Sequence, residues 1–106
     1  RADEGPRLQK DLGSANFLML RNHGLLTCGR SVADAFLSMY VFESTCRIQV
    51  DALAGQQGMD GLTPVPQAIV DGTAESMRVQ TGGMGGQFVW PTMLRQLDRR
   101  DPSYKT

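Results

Sequence analysis

The chain has 106 residues, which is enough for at most one domain. Its 11 basic and 11 acidic residues balance, so no excess of charge indicates a nucleic acid or an anionic membrane surface as partner. No apolar run approaches the roughly 20 residues that would span a bilayer, and no signal peptide is visible. The two cysteines, Cys28 and Cys46, are too few for a disulfide framework and fit a reducing, cytoplasmic location.

The chain opens with Arg1-Ala2-Asp3-Glu4, which contains neither a methionine nor a targeting pattern. From this start we expect a piece of a longer polypeptide, and a tagged or processed small protein is the alternative. Residues 6–12 predict a short helix, because Gly13 follows at the position where a left-handed residue commonly ends helices.

Two short apolar runs come next, at residues 17–20 and 25–28. Runs of this length between polar residues and glycines predict buried strands. Asn22, His23 and Gly24 form a tight connection between them. The runs are therefore expected to pair as a hairpin or to form one bent strand.

Residues 31–54 carry the strongest helical pattern of the chain. Ser31 with Asp34 three residues later approximates a capping box, although Asp is shorter than the usual Glu or Gln. The segment 33–42 is apolar on nearly all sides, and a helix of that kind must be covered on more than one side. We therefore expect this segment to contact another subunit or a separate chain segment as well as its own sheet. The same pattern argues against an autonomous small binding domain.

The C-terminal part predicts two further helices. Residues 55–66 are rich in glycine and proline and indicate a loop, and Pro66 suits the first turn of a helix that runs to about residue 79. The glycine-rich residues 81–86 are predicted to form a link, since they lack the lysine and the strand–helix context of a phosphate-binding loop. Pro91 is predicted to begin the last helix, with Trp90 in a packing role. Asp101 should end it, because Pro102 follows.

His23 is the single histidine of the chain. A strand that leads into a turn of His and Gly projects an imidazole from a rigid edge, and Gly24 lets the backbone pass close to a ligand. A zinc site needs three or four ligands from His, Cys or carboxylates. The chain offers no second histidine, and its cysteines lie in separate predicted elements. From the residues alone, a structural or surface role and a ligand role for His23 both remain open.

A longer pattern surrounds this histidine. Residues 16–29 read as an apolar strand, then Arg-Asn-His-Gly, then Leu-Leu-Thr-Cys-Gly, and the helix opening Ser-Val-Ala-Asp-Ala-Phe follows at residues 31–36. With residues 43–53, 89–99 and 101–104 in the same order, this pattern resembles the class II aldolase/adducin family. The fold class that the resemblance implies is α/β, a partial three-layer α/β/α sandwich. Residues 1–106 would be the C-terminal portion of one such domain, whose first half is absent.

The resemblance also implies a metal centre and an assembly. Members usually form homotetramers with active sites between subunits, and a divalent metal, typically zinc, is held by three histidines. Two of these lie in a His-x-His motif in the first half of the domain, and the third corresponds to His23. The carboxylate that acts as base also belongs to the first half, so neither it nor the His-x-His motif can be placed in this chain.

The implied function is that of a metal-dependent, class II aldolase-like lyase acting on small carbonyl or sugar-like substrates. In such a reaction the metal stabilises negative charge on a carbonyl or enediolate oxygen. The chain by itself is expected to be inactive. The alternative is a non-catalytic, adducin-like oligomerisation or interaction module, because adducin-type heads also carry Arg-Asn-His-Gly. No nucleic acid or membrane partner is expected.

Overall fold

The computed structural model describes residues 4–55, 59–81 and 85–105. Within these ranges four α-helices and two strands follow one another, with short 3₁₀ turns at Met59–Gly61 and Pro102–Lys105. The elements are α1 (Glu4–Leu12), β1 (Phe17–Leu20), β2 (Gly24–Thr27), α2 (Val32–Leu53), α3 (Gln67–Thr81) and α4 (Gly85–Arg100). None of the helices in these ranges has the length and apolar character needed to cross a membrane.

The two strands form an antiparallel hairpin, with Phe17 opposite Thr27 and Leu20 opposite Gly24. This confirms that both runs form strands and decides between the hairpin and the bent strand, with β2 one residue earlier than expected. The expected burial is not found, because the residues of both strands are exposed or half-buried. Side chains alternate between the faces of a strand. One face therefore carries Phe17, Met19, Leu25 and Thr27, and the other carries Leu18, Leu20 and Leu26. A sheet that is apolar on both faces is typical of one covered on both sides.

α2 begins as its sequence predicts. Ser31 is extended (φ −141°, ψ 164°), and its Oγ accepts a hydrogen bond of 3.1 Å from the backbone N–H of Asp34. The return bond of a capping box is replaced by a contact between side chains, because Ser31 Oγ donates to Asp34 Oδ2 at 2.9 Å. This arrangement satisfies donors that would otherwise lack partners at the helix start.

α2 packs on the hairpin through the face that carries Phe17 and Thr27. Thr27 Oγ1 donates to the carbonyl oxygen of Ala35 at 3.0 Å. The rings of Phe17 and Phe42 meet edge to face, with centroids 5.2 Å apart. These contacts hold the hairpin at the end away from its turn, while α1 contacts β1.

The predicted bounds of the link and the last helix are wrong. α3 continues to Thr81 and α4 begins at Gly85, so Pro91 lies inside α4 rather than at its start. A proline inside a helix removes one hydrogen bond and costs about 3 kcal/mol. The preceding turn is nevertheless anchored, because the buried Gly86 donates its N–H to Asp34 Oδ1 at 3.3 Å. The rest of the predicted link, residues 82–84, lies outside the described ranges.

Large apolar side chains remain accessible throughout the described part of the chain, where none is buried. The accessible surface is 8978 Å², whereas a folded monomer of this mass exposes about 5,800 Å². On α2, Phe36, Tyr40 and Val41 are 40%, 59% and 50% exposed. Part of the apolar surface of this helix is therefore not covered by the residues that the structure describes, and contact with a further segment or subunit stays a prediction.

Candidate functional site

His23 lies in the three-residue turn between β1 and β2. Its backbone N–H donates to the carbonyl oxygen of Leu20 at 3.2 Å and closes the turn. Asn22 has a φ of 61°, and turns with a positive φ at the third residue require Gly or Asn there. Gly24 follows with a φ of 137°, which side chains other than hydrogen rarely allow. The Asn-His-Gly sequence therefore suits this backbone, and the turn fixes the position of the His23 backbone from which the imidazole projects.

The imidazole of His23 is exposed, and its Nδ1 lies 3.3 Å from the carbonyl oxygen of Arg21. When Nδ1 carries the proton, it donates this bond and Nε2 keeps its lone pair. A hydrogen bond from one ring nitrogen to a backbone carbonyl is the usual way in which proteins orient a metal-binding histidine. The local geometry of His23 is compatible with the role of a ligand.

One imidazole does not make a metal site. Across residues 4–55, 59–81 and 85–105, no group of three His, Cys, Asp or Glu side chains comes together in a way that could hold an ion. Cys28 follows β2 at the end opposite the turn, roughly 15 Å from His23 at the rise of a β-strand, and Cys46 lies within α2. Both thiols are free. The described residues thus supply one candidate ligand and do not fit a complete metal site.

A polar cavity of about 480 Å³ lies at the end of the hairpin away from His23. Its lining residues come from the position before β1, from the β2–α2 connection and from α2: Asn16, Cys28, Gly29, Arg30, Asp34 and Ser38. Gly29 is required at this close approach, because a Cβ there would stand 2.5 Å from the backbone nitrogen of Ala35. The sequence did not predict this cavity, because its lining residues come from three separate segments of the chain. Gly29, which follows the second strand, was the one available signal.

An apolar groove of about 250 Å³ runs between α2 and α4. The rings of Phe36 and Trp90 form one wall, edge to face with centroids 5.3 Å apart, which confirms the predicted packing of Trp90. The remaining lining residues belong to α4: Met93, Leu94, Gln96, Leu97 and Arg100. His23 lies outside both the cavity and the groove.

Comparisons with known proteins place a family match in the first half of the chain and bacterial relatives along nearly all of it. The family described as "Class II Aldolase and Adducin N-terminal domain" matches residues 1–50. A Pseudomonas aeruginosa protein provisionally named an aldolase class 2 protein is 48% identical over 107 residues, covering 97% of this chain and 40% of that protein. A Caulobacter vibrioides protein with the same provisional name is 39% identical over 102 residues, covering 96% of this chain and 38% of that protein.

Adducins match over a shorter stretch. Human gamma-adducin is 44% identical over 61 residues, which cover 57% of this chain and 9% of that protein. The chain spans about two fifths of the length of the bacterial relatives above. No solved structure matches it.

Proposed function

Because this chain belongs to the class II aldolase/adducin family, we propose that residues 1–106 form the C-terminal portion of one three-layer α/β/α domain in a longer parent protein. The hairpin supports this proposal, since it is apolar on both faces and α2 packs on the face with Phe17 and Thr27. Further strands and a further helical layer supplied by the parent would cover the other face of the hairpin, which carries Leu18, Leu20 and Leu26. The share of the bacterial relatives that the chain matches leaves room for them.

The parent is a divalent-metal-dependent lyase that acts on small carbonyl or sugar-like substrates. His23 is one of three histidine ligands to its metal, and we propose zinc as that metal. Family members generally use a divalent metal. The single observation that carries the proposal is the Arg-Asn-His-Gly turn itself. It holds the imidazole at the end of a hydrogen-bonded hairpin, with Nδ1 near a backbone carbonyl oxygen. The other ligands and the catalytic base belong to the parent, and the chain alone is inactive.

The parent assembles as a homotetramer in the cytoplasm. The support for assembly is the open apolar surface of α2, where Phe36, Tyr40 and Val41 are accessible along one helix. Large exposed apolar side chains that group on one element are typical of interaction sites in soluble proteins. Neither a nucleic acid nor a membrane is part of the proposal, in keeping with the balanced charge.

A second candidate function is that of a non-catalytic, adducin-like interaction module. It is favoured by the 44% identity to human gamma-adducin over 61 residues. His23 does not separate the two candidates, because the motif around it is common to both. A His-x-His motif and an acidic base in the parent sequence would favour the enzyme, and their absence would favour the module.

The test of the metal role is elemental analysis of the full-length parent, with and without His23→Ala. We expect the substituted protein to lose its bound metal and its lyase activity, since a three-ligand site loses one ligand. Asn22→Gly is the matched control. It keeps the histidine and suits the positive φ of that turn position, so metal should be retained.

Two results would contradict the metal role. If His23→Ala keeps both metal and activity, the histidine is structural. If the 106-residue chain alone holds stoichiometric zinc tightly, the ligands lie within it and the division between chain and parent is wrong. If the parent folds without any metal both with His23 and with the His23→Ala substitution, the interaction module is supported instead.

A further inference from the structure

Arg21 opens the turn that carries His23. The backbone carbonyl oxygen of Arg21 lies 3.3 Å from Nδ1 of His23, and the hydrogen bond from the His23 N–H to Leu20 closes the turn around both residues. Because two trans peptide bonds separate them, the Cα atoms of Arg21 and His23 are at most about 7.6 Å apart. The side chain of Arg21 therefore starts close to the proposed metal ligand, at the same end of the hairpin.

The guanidinium of Arg21 is a cation in an otherwise uncharged stretch of the chain. Arg21 is exposed, and it is the one charged residue between Asp11 and Arg30 when His23 is neutral. Within residues 4–55, 59–81 and 85–105, its side chain forms no hydrogen bond or ion pair. The described part of the chain thus places an arginine beside His23 without a carboxylate to neutralise it.

An arginine at this position is suited to an anionic group on a small molecule. Its planar guanidinium can donate two parallel hydrogen bonds to a carboxylate or a phosphate, which a lysine cannot do. Since Arg21 and His23 share one turn, the anionic group should lie close to the carbonyl of the same substrate. A carboxylate bonded to the carbonyl carbon meets this condition, whereas a phosphate ester is separated from that carbon by at least one further carbon and an oxygen.

We propose that Arg21 binds a carboxylate that is bonded to the carbonyl carbon of the substrate, so that the parent acts on small 2-oxo acids. This inference rests on the proposed function, because it places the substrate beside His23. It narrows the substrates from small carbonyl compounds in general to those with an adjacent carboxylate. Arg21 is then a specificity-determining residue that takes no part in holding the metal.

The test is calorimetric titration of the full-length parent with oxamate, which carries a carboxylate on a carbonyl carbon, and with oxamide, its neutral amide. Arg21→Gln should weaken oxamate binding about tenfold or more, because it removes charge-assisted hydrogen bonds, and it should leave oxamide binding unchanged. Arg21→Lys should give an intermediate loss, since it keeps the charge but not the planar donor pair. Arg99→Gln is the matched control. It removes an exposed arginine in the last turn of α4 and should leave both ligands unaffected.

The same titrations can overturn the proposal. Oxamate binding that is absent from the unmodified parent, or equal in Arg21→Gln, would do so. An equal loss of oxamate and oxamide would mean that Arg21 supports the structure of the turn instead. Inorganic phosphate is the third ligand. If Arg21→Gln weakens phosphate binding and not oxamate binding, the residue serves a phosphate group and the assignment to 2-oxo acids is wrong.

Elemental analysis of the same proteins separates this proposal from the role of His23. Arg21→Gln should keep the metal of the unmodified parent, because it removes no ligand. Loss of the metal in Arg21→Gln would contradict the proposal, since Arg21 would then be needed for the turn. If the unmodified parent holds no metal, the proposed function fails, and the comparison of oxamate with oxamide still tests Arg21.

Discussion

Asp34 connects the start of α2 to the start of α4 through its backbone and its two carboxylate oxygens. Its N–H donates to the Oγ of Ser31, Oδ2 accepts from the same hydroxyl, and Oδ1 accepts from the backbone of Gly86. A carboxylate that accepts backbone and hydroxyl donors near a helix N-terminus is stabilised by the helix dipole as well. One side chain thus both caps α2 and positions the start of α4.

Asp98 forms a second cluster, at the C-terminal end. Its Oδ1 accepts hydrogen bonds from Lys105 Nζ at 2.8 Å and from the Tyr104 hydroxyl at 2.5 Å. The hydrogen bond from Lys105, followed by that from Tyr104, lowers the pKa of Asp98 from its usual 3.8. The bond to Asp98 raises the pKa of Tyr104 from its usual 10.0. These contacts hold the 3₁₀ turn Pro102–Lys105 against the last turn of α4.

The cluster should hold the C-terminal turn over a defined pH range. Because the pKa of Asp98 is lowered in the folded chain, its contribution is present above 3.8 and is lost as pH falls through the lowered value. The pKa of Tyr104 is raised, so its contribution is present below 10.0 and is lost as pH rises through the raised value. We expect the turn to detach at both extremes, as followed by NMR shifts of residues 102–105.

Two substitutions test the assignment of this pH dependence. Tyr104→Phe removes the hydroxyl donor and should move the pKa of Asp98 back toward 3.8 in a carboxylate NMR titration. Ser103→Ala is the control. Its hydroxyl lowers the pKa of Asp101 instead, so this change should leave Asp98 unaffected. An unchanged Asp98 titration in Tyr104→Phe would contradict the contact.

Among the elements, α3 and α4 each contain a glycine whose replacement by alanine should have opposite effects. At Gly72 a Cβ would meet nothing within 4 Å, so Gly72→Ala should stabilise the helix by about 1 kcal/mol. At Gly86 a Cβ would stand 2.5 Å from the backbone nitrogen of Asp34 and 2.6 Å from the carbonyl carbon of Ala33. Gly86→Ala should destabilise the contact by about 1–3 kcal/mol, because backbone atoms cannot yield as side chains do.

The pair is measured as the midpoint of thermal unfolding, followed by helical circular dichroism. The midpoint should rise for Gly72→Ala and fall for Gly86→Ala. Since both changes add the same methyl group to a helix, their difference isolates the contact between α4 and α2. Equal midpoints for the two variants would mean that α4 does not approach the start of α2 as closely as described.

The sequence predicted the elements that depend on neighbouring residues. The hairpin strands, the Ser31 cap and the end of α4 before Asp101-Pro102 all follow from turn, cap and proline chemistry within a few positions. The start of α4 did not follow, because Gly85 and Gly86 are poor helix formers and Gly86 is held by Asp34, which lies 52 positions away in the sequence. Local propensity carries no information about such a contact.

The candidate site also has features that neighbouring residues predict and features that they do not. The position of His23 at the end of a hairpin could be predicted, because Asn22 and Gly24 dictate the turn around it. Its orienting contact with the carbonyl of Arg21 is also local. The polar cavity beside Asp34 could not be predicted from the motif, because it joins residues from separate segments. The described residues contain no group of three His, Cys, Asp or Glu side chains that could hold a metal, and the motif names His23 alone as a ligand.

At the scale of the whole molecule, the excess of accessible surface predicts how the isolated chain behaves. With no large apolar side chain buried in the described ranges, the chain should bind a dye that fluoresces on apolar surface, and it should self-associate at micromolar concentration. Sedimentation and dye titration measure both. A compact monomer in whose presence the dye does not fluoresce would contradict this prediction.

The edge-to-face pair of Phe36 and Trp90 has an optical consequence. Trp90 is the single tryptophan of the chain, so all indole emission comes from the junction of α2 and α4. Its half-buried indole ring lies beside the apolar groove and is partly exposed to solvent. Separation of the two helices would shift its emission to longer wavelength, whereas a change confined to the His23 turn would leave the spectrum as it was. Trp90 fluorescence thus reports on the junction of α2 and α4 and does not report on the hairpin.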